Sequence, residues 1–160
     1  MGVFEYRQAQ EIRDAFARHR CRYLFIGKSG AILLGYPDTT QDADIFVEQS
    51  TANGRSLVAA LKELGFDLSP QDVADIERGK DFVQLKNGPF DLDLVFAPDG
   101  IESFADAFGR RVVVNNFPVC HIDDIIASKR AANRAKDRES LTRLEQFREY
   151  LRSKGGPASD

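Results

Sequence analysis

The chain has 160 residues, with 22 Lys and Arg against 25 Asp and Glu, for a net charge of −3. That length suits one domain with a real hydrophobic core, and the slight acidity argues against bulk, non-specific nucleic-acid binding. No secretory segment and no apolar run near the ~20 residues of a membrane span is present, and Cys21 and Cys120 are unpatterned, so a reduced cytoplasmic protein without a membrane segment is expected.

In chain order, helices and strands alternate. Tyr6 to Arg20 carries Ala9, Ile12 and Phe16 on one stripe and reads as an opening helix. Arg22 to Ile26 is an apolar strand, followed by a turn with Gly27, Ser29 and Gly30, a short apolar helix and a polar loop. Asp42-Ala43-Asp44 then opens a second apolar run, Ile45-Phe46-Val47. Ser50 or Thr51 caps a helix bearing Leu57, Val58, Leu61 and Leu64, which Gly65 stops. Ser69-Pro70-Gln71 starts a short helix to Arg78. Asp81 to Lys86 and Phe90 to Ala97 form a hairpin across Asn87-Gly88, the strongest such signal in the sequence. After a short helix from Ile101 to Phe108, Arg111 to Val114 and Phe117 to Val119 flank Asn115-Asn116 as a second small hairpin. Asp123 caps a helix to about Lys136, and a further helix carries Leu141, Leu144, Phe147 and Leu151. Residues 155–160 read as a disordered tail. The expected fold is α/β or α+β: a single domain over 1–154, with a mixed sheet of about five strands packed with helices. It ends in basic helices over about 122–152, where the cations from Lys129 to Lys154 outnumber the acids.

The stretch from Ile26 to Val47 concentrates the chemistry. Strand side chains alternate faces, so Asp42 and Asp44 share one face while Ala43 and Ile45 point into the core. Two carboxylates about 7 Å apart on one face repel each other unless a cation sits between them. Oxygen-only ligands suit Mg²⁺ (or Mn²⁺). At the other end of the stretch, backbone amides in the strand-to-helix turn can cradle phosphate. A phosphate cradle joined to a metal-holding Asp-x-Asp pair points to nucleotide chemistry. Phe90 to Pro98 carries a second pair, Asp91 and Asp93, on one face of its strand. A lone aspartate on a surface strand is ordinarily just solvated, but two such pairs beside a glycine turn mark a site.

These residues resemble the signature of the DNA polymerase β-like nucleotidyltransferase superfamily: an apolar strand, a glycine turn, a short helix, Asp-x-Asp opening the next strand, and a third carboxylate on a later strand. More narrowly, Gly27, Ala31, Gly35, Pro37, Thr40, Asp42 and Asp44 are spaced as in small bacterial nucleotidyltransferases of the abortive-infection and toxin–antitoxin type. Asp93 is preferred to Asp91 as the third carboxylate, because its run Asp-Leu-Val-Phe-Ala-Pro resembles the superfamily strand. Lys129, Arg134, Lys136 and Asp137 match a C-terminal set that resembles nucleotide-contacting groups. Three positions depart from the pattern: Lys28 replaces a glycine, Asp38 an arginine and Ser140 an aspartate.

The resemblance implies metal-dependent transfer of a nucleoside monophosphate from a nucleoside triphosphate to an acceptor hydroxyl. Asp42 and Asp44 would hold one Mg²⁺ and, with Asp93, a second, while Asp93 acts as general base. Gly27, Lys28 and Ser29 would take the triphosphate, and Thr40 would shape the loop that aims Asp42. The acceptor could be tRNA, another RNA, a protein hydroxyl or a small molecule such as an aminoglycoside. The basic helices lean towards RNA, with no aromatic stacking platform beside them. A cognate antitoxin would be a protein partner. The alternative is a weak or inactive nucleotide-binding regulator, or the non-catalytic partner of a two-component enzyme.

Overall fold

A computed structural model describes residues 3–132 and 135–155, apart from the side chains of 135–137. Its elements run α1 (Tyr6–Arg18), β1 (Tyr23–Phe25), α2 (Gly27–Leu33), β2 (Asp42–Val47), α3 (Thr51–Leu64), α4 (Pro70–Arg78), β3 (Phe82–Leu85), β4 (Asp91–Val95), α5 (Phe104–Gly109), β5 (Val112–Val114), β6 (Phe117–Val119), α6 (Ile122–Ala132) and α7 (Ala135–Ser153). The fold is mixed α/β, and the strands form one mixed sheet in the order β3-β4-β2-β1-β6-β5. β1 runs antiparallel to β2 and parallel to β6, while β2 runs parallel to β4.

Alternation along β2 decides what each face of the sheet does. Ala43, Ile45 and Val47 are fully buried, whereas Asp42 and Asp44 on the opposite face are half-buried. α1 covers the apolar face, where Phe16 meets Tyr23 edge-on at 4.8 Å between ring centres, and α3 packs against α1. α5 covers the other face beyond the aspartates, with Phe104 edge-on to Phe46 at 5.2 Å. α6 packs against α2 on one side and α7 on the other. Among the described residues, no helix is long and apolar enough to cross a membrane.

Several helix starts follow from their capping residues. The Ser50 hydroxyl accepts a hydrogen bond from the Asn53 amide at 3.1 Å. Ser69 and Asp72 cap each other's backbone amides at 3.0 and 3.1 Å, with Pro70 at the first helical position. Gly65 ends α3 in the left-handed region at φ 100°.

Five expectations are corrected. The sheet has six strands rather than about five, because β6 pairs with β1 at Phe25 and Val119 and draws the small hairpin into the main sheet. α1 stops at Arg18, since Arg20 takes a left-handed φ of 56°. α5 starts at Phe104 rather than Ile101, with the Ser103 hydroxyl capping the Asp106 amide at 3.1 Å. α6 begins at Ile122, which puts Asp123 inside its first turn; its described part runs to Ala132, and residues 133–134, before the expected end near Lys136, lie outside the described residues. The β3–β4 connection is not a two-residue turn at Asn87-Gly88: Leu85 pairs with Leu92, and neither Asn87 nor Gly88 has a positive φ. Gly88 is there for space, because a Cβ on it would meet the Phe66 ring at 2.2 Å. The second hairpin does use that turn, with Asn115 and Asn116 at φ 50° and 67° between paired Val114 and Phe117. The tail residues 156–160 lie outside the described residues.

Candidate active site

Parallel pairing of β2 with β4 sets Asp42 beside Asp91 and Asp44 beside Asp93, in register. Side chains of paired residues project to the same face, so four carboxylates come to one side of the sheet. A cleft of about 830 Å³ opens over this face. Asp42, Asp44 and Asp93 line it, with Gly27, Lys28 and Thr40 along one wall and Phe82, Gln84 and Val95 along the other. Lys129 and Ser128 of α6 and Ser140 of α7 close the top. Asp91, at the start of β4, is not among the lining residues.

The electrostatics of the floor are unfavourable as it stands. Burial, and then the Asp93 charge, push the Asp44 carboxyl up to about 7, with Lys129 opposing. Burial also raises Asp93, with the Gln84 side chain opposing and Asp42 adding to the rise. Asp93 is 8% exposed, yet its buried Oδ1 has no hydrogen-bond partner among the described residues. An orphaned carboxylate oxygen in a polar site is where a hard cation fits. Among the described residues, no three His, Cys, Asp or Glu side chains converge closely enough to form a finished metal-ligand set.

The wall beside β1 is built by glycine and serine for different reasons. Gly27 sits at φ 63°, and a Cβ there would lie 2.5 Å from Asp44 Oδ2, so only glycine fits between the turn and the carboxylate. Ser29 is 2% exposed and does not reach the cleft. Its hydroxyl lies 3.1 Å from the Ile26 carbonyl as donor and accepts from the Asp44 amide at 3.0 Å. In this arrangement the hydroxyl staples the turn to β2 and fixes the backbone of Asp44. Thr40 donates to the Asp42 carbonyl at 3.2 Å, and the Phe4 amide bonds the Thr40 carbonyl at 2.7 Å. The loop before β2 is thereby pinned at Thr40 through both its side chain and its backbone.

Two of the three departures, Lys28 and Asp38, account for each other. Lys28 Nζ lies 3.5 Å from Asp38 Oδ2, and Arg143 of α7 reaches the same oxygen at 3.5 Å. The Thr39 amide, and after it Lys28 and Arg143, hold the Asp38 carboxyl below the usual range. Arg143 also lies over the Tyr36 ring at 5.4 Å. Asp38 thus clamps the Gly27 turn to α7.

Of the residues singled out in the sequence, the cleft brings together Gly27, Lys28, Thr40, Asp42, Asp44, Asp93 and Lys129. The placements expected for Arg134 and for the Lys136 and Asp137 side chains lie outside the described residues. The far wall, Phe82, Gln84 and Val95, was missed. Its signal lay in the β3–β4 register. A tight Asn87-Gly88 turn would set Gln84 opposite Asp91, whereas the observed pairing sets it opposite Asp93. No protein-family model matches the chain, and no curated protein matches it.

Proposed function

We propose that the protein is a metal-dependent nucleotidyltransferase with the nucleotidyltransferase fold, moving a nucleoside monophosphate from a nucleoside triphosphate to an acceptor hydroxyl. The observation that carries this reading is the register of β2 and β4. It holds Asp44 and Asp93 together on a partly buried floor beside Asp42, with one carboxylate oxygen unpartnered among the described residues. Folding gains nothing from such an arrangement, since like charges withdrawn from water cost stability. Two structural alternatives, an inactive regulator and a non-catalytic partner subunit, leave that cost without a purpose.

Asp42, Asp44 and Asp93 are the residues that would hold Mg²⁺ or Mn²⁺, which would supply charge neutralisation at the triphosphate and at the attacking oxygen. The amides of the Gly27 turn and the Lys28 ammonium bind the β- and γ-phosphates, with Lys28 leaving Asp38 to do so. Lys129 lies close enough to Asp44 for its charge to be felt there, and it serves the α-phosphate. Asp93 accepts the proton of the acceptor hydroxyl. The acceptor oxygen forms a bond to the α-phosphorus as the bond to the bridging oxygen breaks, and pyrophosphate leaves. The favoured acceptor is RNA, with tRNA as one candidate, and toxin action with a cognate antitoxin is a natural setting for such an enzyme.

The test is direct. The protein, Mg²⁺ and each of the four α-labelled triphosphates are incubated with a cell extract, and the labelled macromolecule is identified. Label that depends on Asp42, Asp44 and Asp93 supports the reading. Triphosphate binding without any label transfer favours the regulator.

A further inference from the structure

Phe82 is 47% exposed on β3, which lies at the edge of the sheet, and it forms part of the cleft wall. An aromatic ring on an open sheet edge is a liability that edge strands ordinarily avoid by carrying charge. Its surroundings give it a use. Phe82 pairs with Val95 and Gln84 pairs with Asp93, so both project to the carboxylate face, while Lys86, one residue past the end of β3, is exposed and lines a neighbouring pocket together with Gln84. The Lys86 charge is felt at Asp93. An aromatic ring and an amide therefore follow one another along one strand face, with a cation just past its end.

The direction of the reaction says which substrate meets this face, an argument that rests on the function proposed above. The phosphate turn lies beyond β1, the carboxylates lie on β2 and β4, and β3 is on the far side. With the β- and γ-phosphates at Gly27 and Lys28, pyrophosphate departs towards β1. In-line displacement requires the new oxygen–phosphorus bond to form opposite the breaking one. The attacking hydroxyl then enters from the β3 side, over Phe82. We propose that Phe82, Gln84 and Lys86 form an acceptor platform for the end of a single-stranded nucleic acid. Phe82 stacks the terminal base, Gln84 bonds its edge, and Lys86 meets the adjoining phosphate.

A short oligoribonucleotide with 2-aminopurine as its 3′-terminal base tests the platform, because its fluorescence falls when the base stacks. With the full chain and Mg²⁺, binding quenches the terminal probe, while the same probe placed mid-strand stays bright. Phe82→Ala weakens oligonucleotide binding roughly ten- to a hundredfold and removes the quench, and Phe82→Tyr keeps both. Half-exposure of the ring makes the alanine variant safe to fold, and its melting temperature checks this. Equal affinity and quench in wild type and Phe82→Ala overturn the platform. Calorimetric titration with Mg²⁺ and a nucleoside triphosphate separates the two ideas. If the triphosphate binds, label lands on a protein, and oligonucleotide affinity ignores Phe82, the platform fails and nucleotidyl transfer stands. If the terminal base stacks on Phe82 but no triphosphate binds, the platform stands and the transfer reading fails.

Discussion

Asp75 and Asp124 are as deeply buried as Asp93, and the contrast between them separates scaffold from site. Asp124 accepts two hydrogen bonds from Arg110, at 2.9 and 3.0 Å. Asp75 accepts from Gln71 at 2.8 Å and from Arg78 at 2.7 Å, with Lys80 at 3.8 Å. Each has its charge answered within hydrogen-bond reach. Asp93 meets the Gln84 side chain but has another carboxylate for a neighbour and, among the described residues, its Oδ1 has no hydrogen-bond partner. A buried acid that is satisfied holds elements together, as Asp124 ties α6 to the end of α5. A buried acid left in conflict is the kind that the proposed function assigns to a metal.

The sharpest way to break this contrast is to neutralise both kinds of acid. Asp42→Asn, Asp44→Asn and Asp93→Ala should each lower transfer by about a thousandfold or more. Asp91→Ala should cost far less, since Asp91 does not line the cleft. Melting temperatures without metal should stay level or rise in the Asn variants, because repulsion is relieved. A fall of several degrees would make these residues structural and reverse the assignment.

Asp124→Ala should do the opposite, losing about 1–3 kcal/mol of stability, a drop of several degrees in melting temperature read by calorimetry. Its effect on transfer should be no larger than the fall in folded protein explains.

Lys28→Ala comes next. Triphosphate affinity should fall roughly ten- to a hundredfold while monophosphate affinity hardly moves, as titration calorimetry would show. Equal losses for both ligands would mean a damaged turn. Asp38→Asn sharpens the point, since it frees Lys28 and Arg143 from their present partner and should tighten triphosphate binding.

The smallest expected effect is a pH slope. The Asp44 carboxyl is raised to about 7 chiefly by burial, so the native state holds that proton more tightly than the unfolded chain does. Its stabilising contribution is complete below about pH 4 and is lost as pH rises towards about 7. Without metal, the stability of Asp44→Asn relative to wild type should therefore grow between about pH 4 and about pH 7, measured by urea midpoints. A flat difference would mean that Asp44 titrates normally.

Much of this was legible because it is local. The period-two alternation of Asp42-Ala43-Asp44-Ile45 fixes which side chains face away from the core, whatever the rest of the chain does. Asn115-Asn116 announces a tight turn because asparagine tolerates positive φ. What escaped depends on distant partners. Gly88 looks like a turn residue but answers to Phe66, which lies before α4, and the β3 register moves by two residues as a result. Lys28 and Asp38 look like two unrelated departures until the loop between them folds back. Ser29 gives no sign of its staple until β2 is laid beside it and takes up its hydroxyl at the Asp44 amide.

The pairing of β2 with β4 also guards the fold against its own mistakes. Slipping one strand by a single residue would turn a whole side-chain set over. Were β4 to slip, Asp91 and Asp93 would be driven beneath α1 while Leu92 and Leu94, fully buried now, came out into water. No near-native misalignment of that kind is tolerable, so the acids that burden the finished protein also proofread its assembly. A two-residue slip is the remaining hazard, since it keeps every side chain on its proper face and sets Asp44 beside Asp91 instead. That error would fold, pack and look native while separating the two carboxylates on which the proposed chemistry depends.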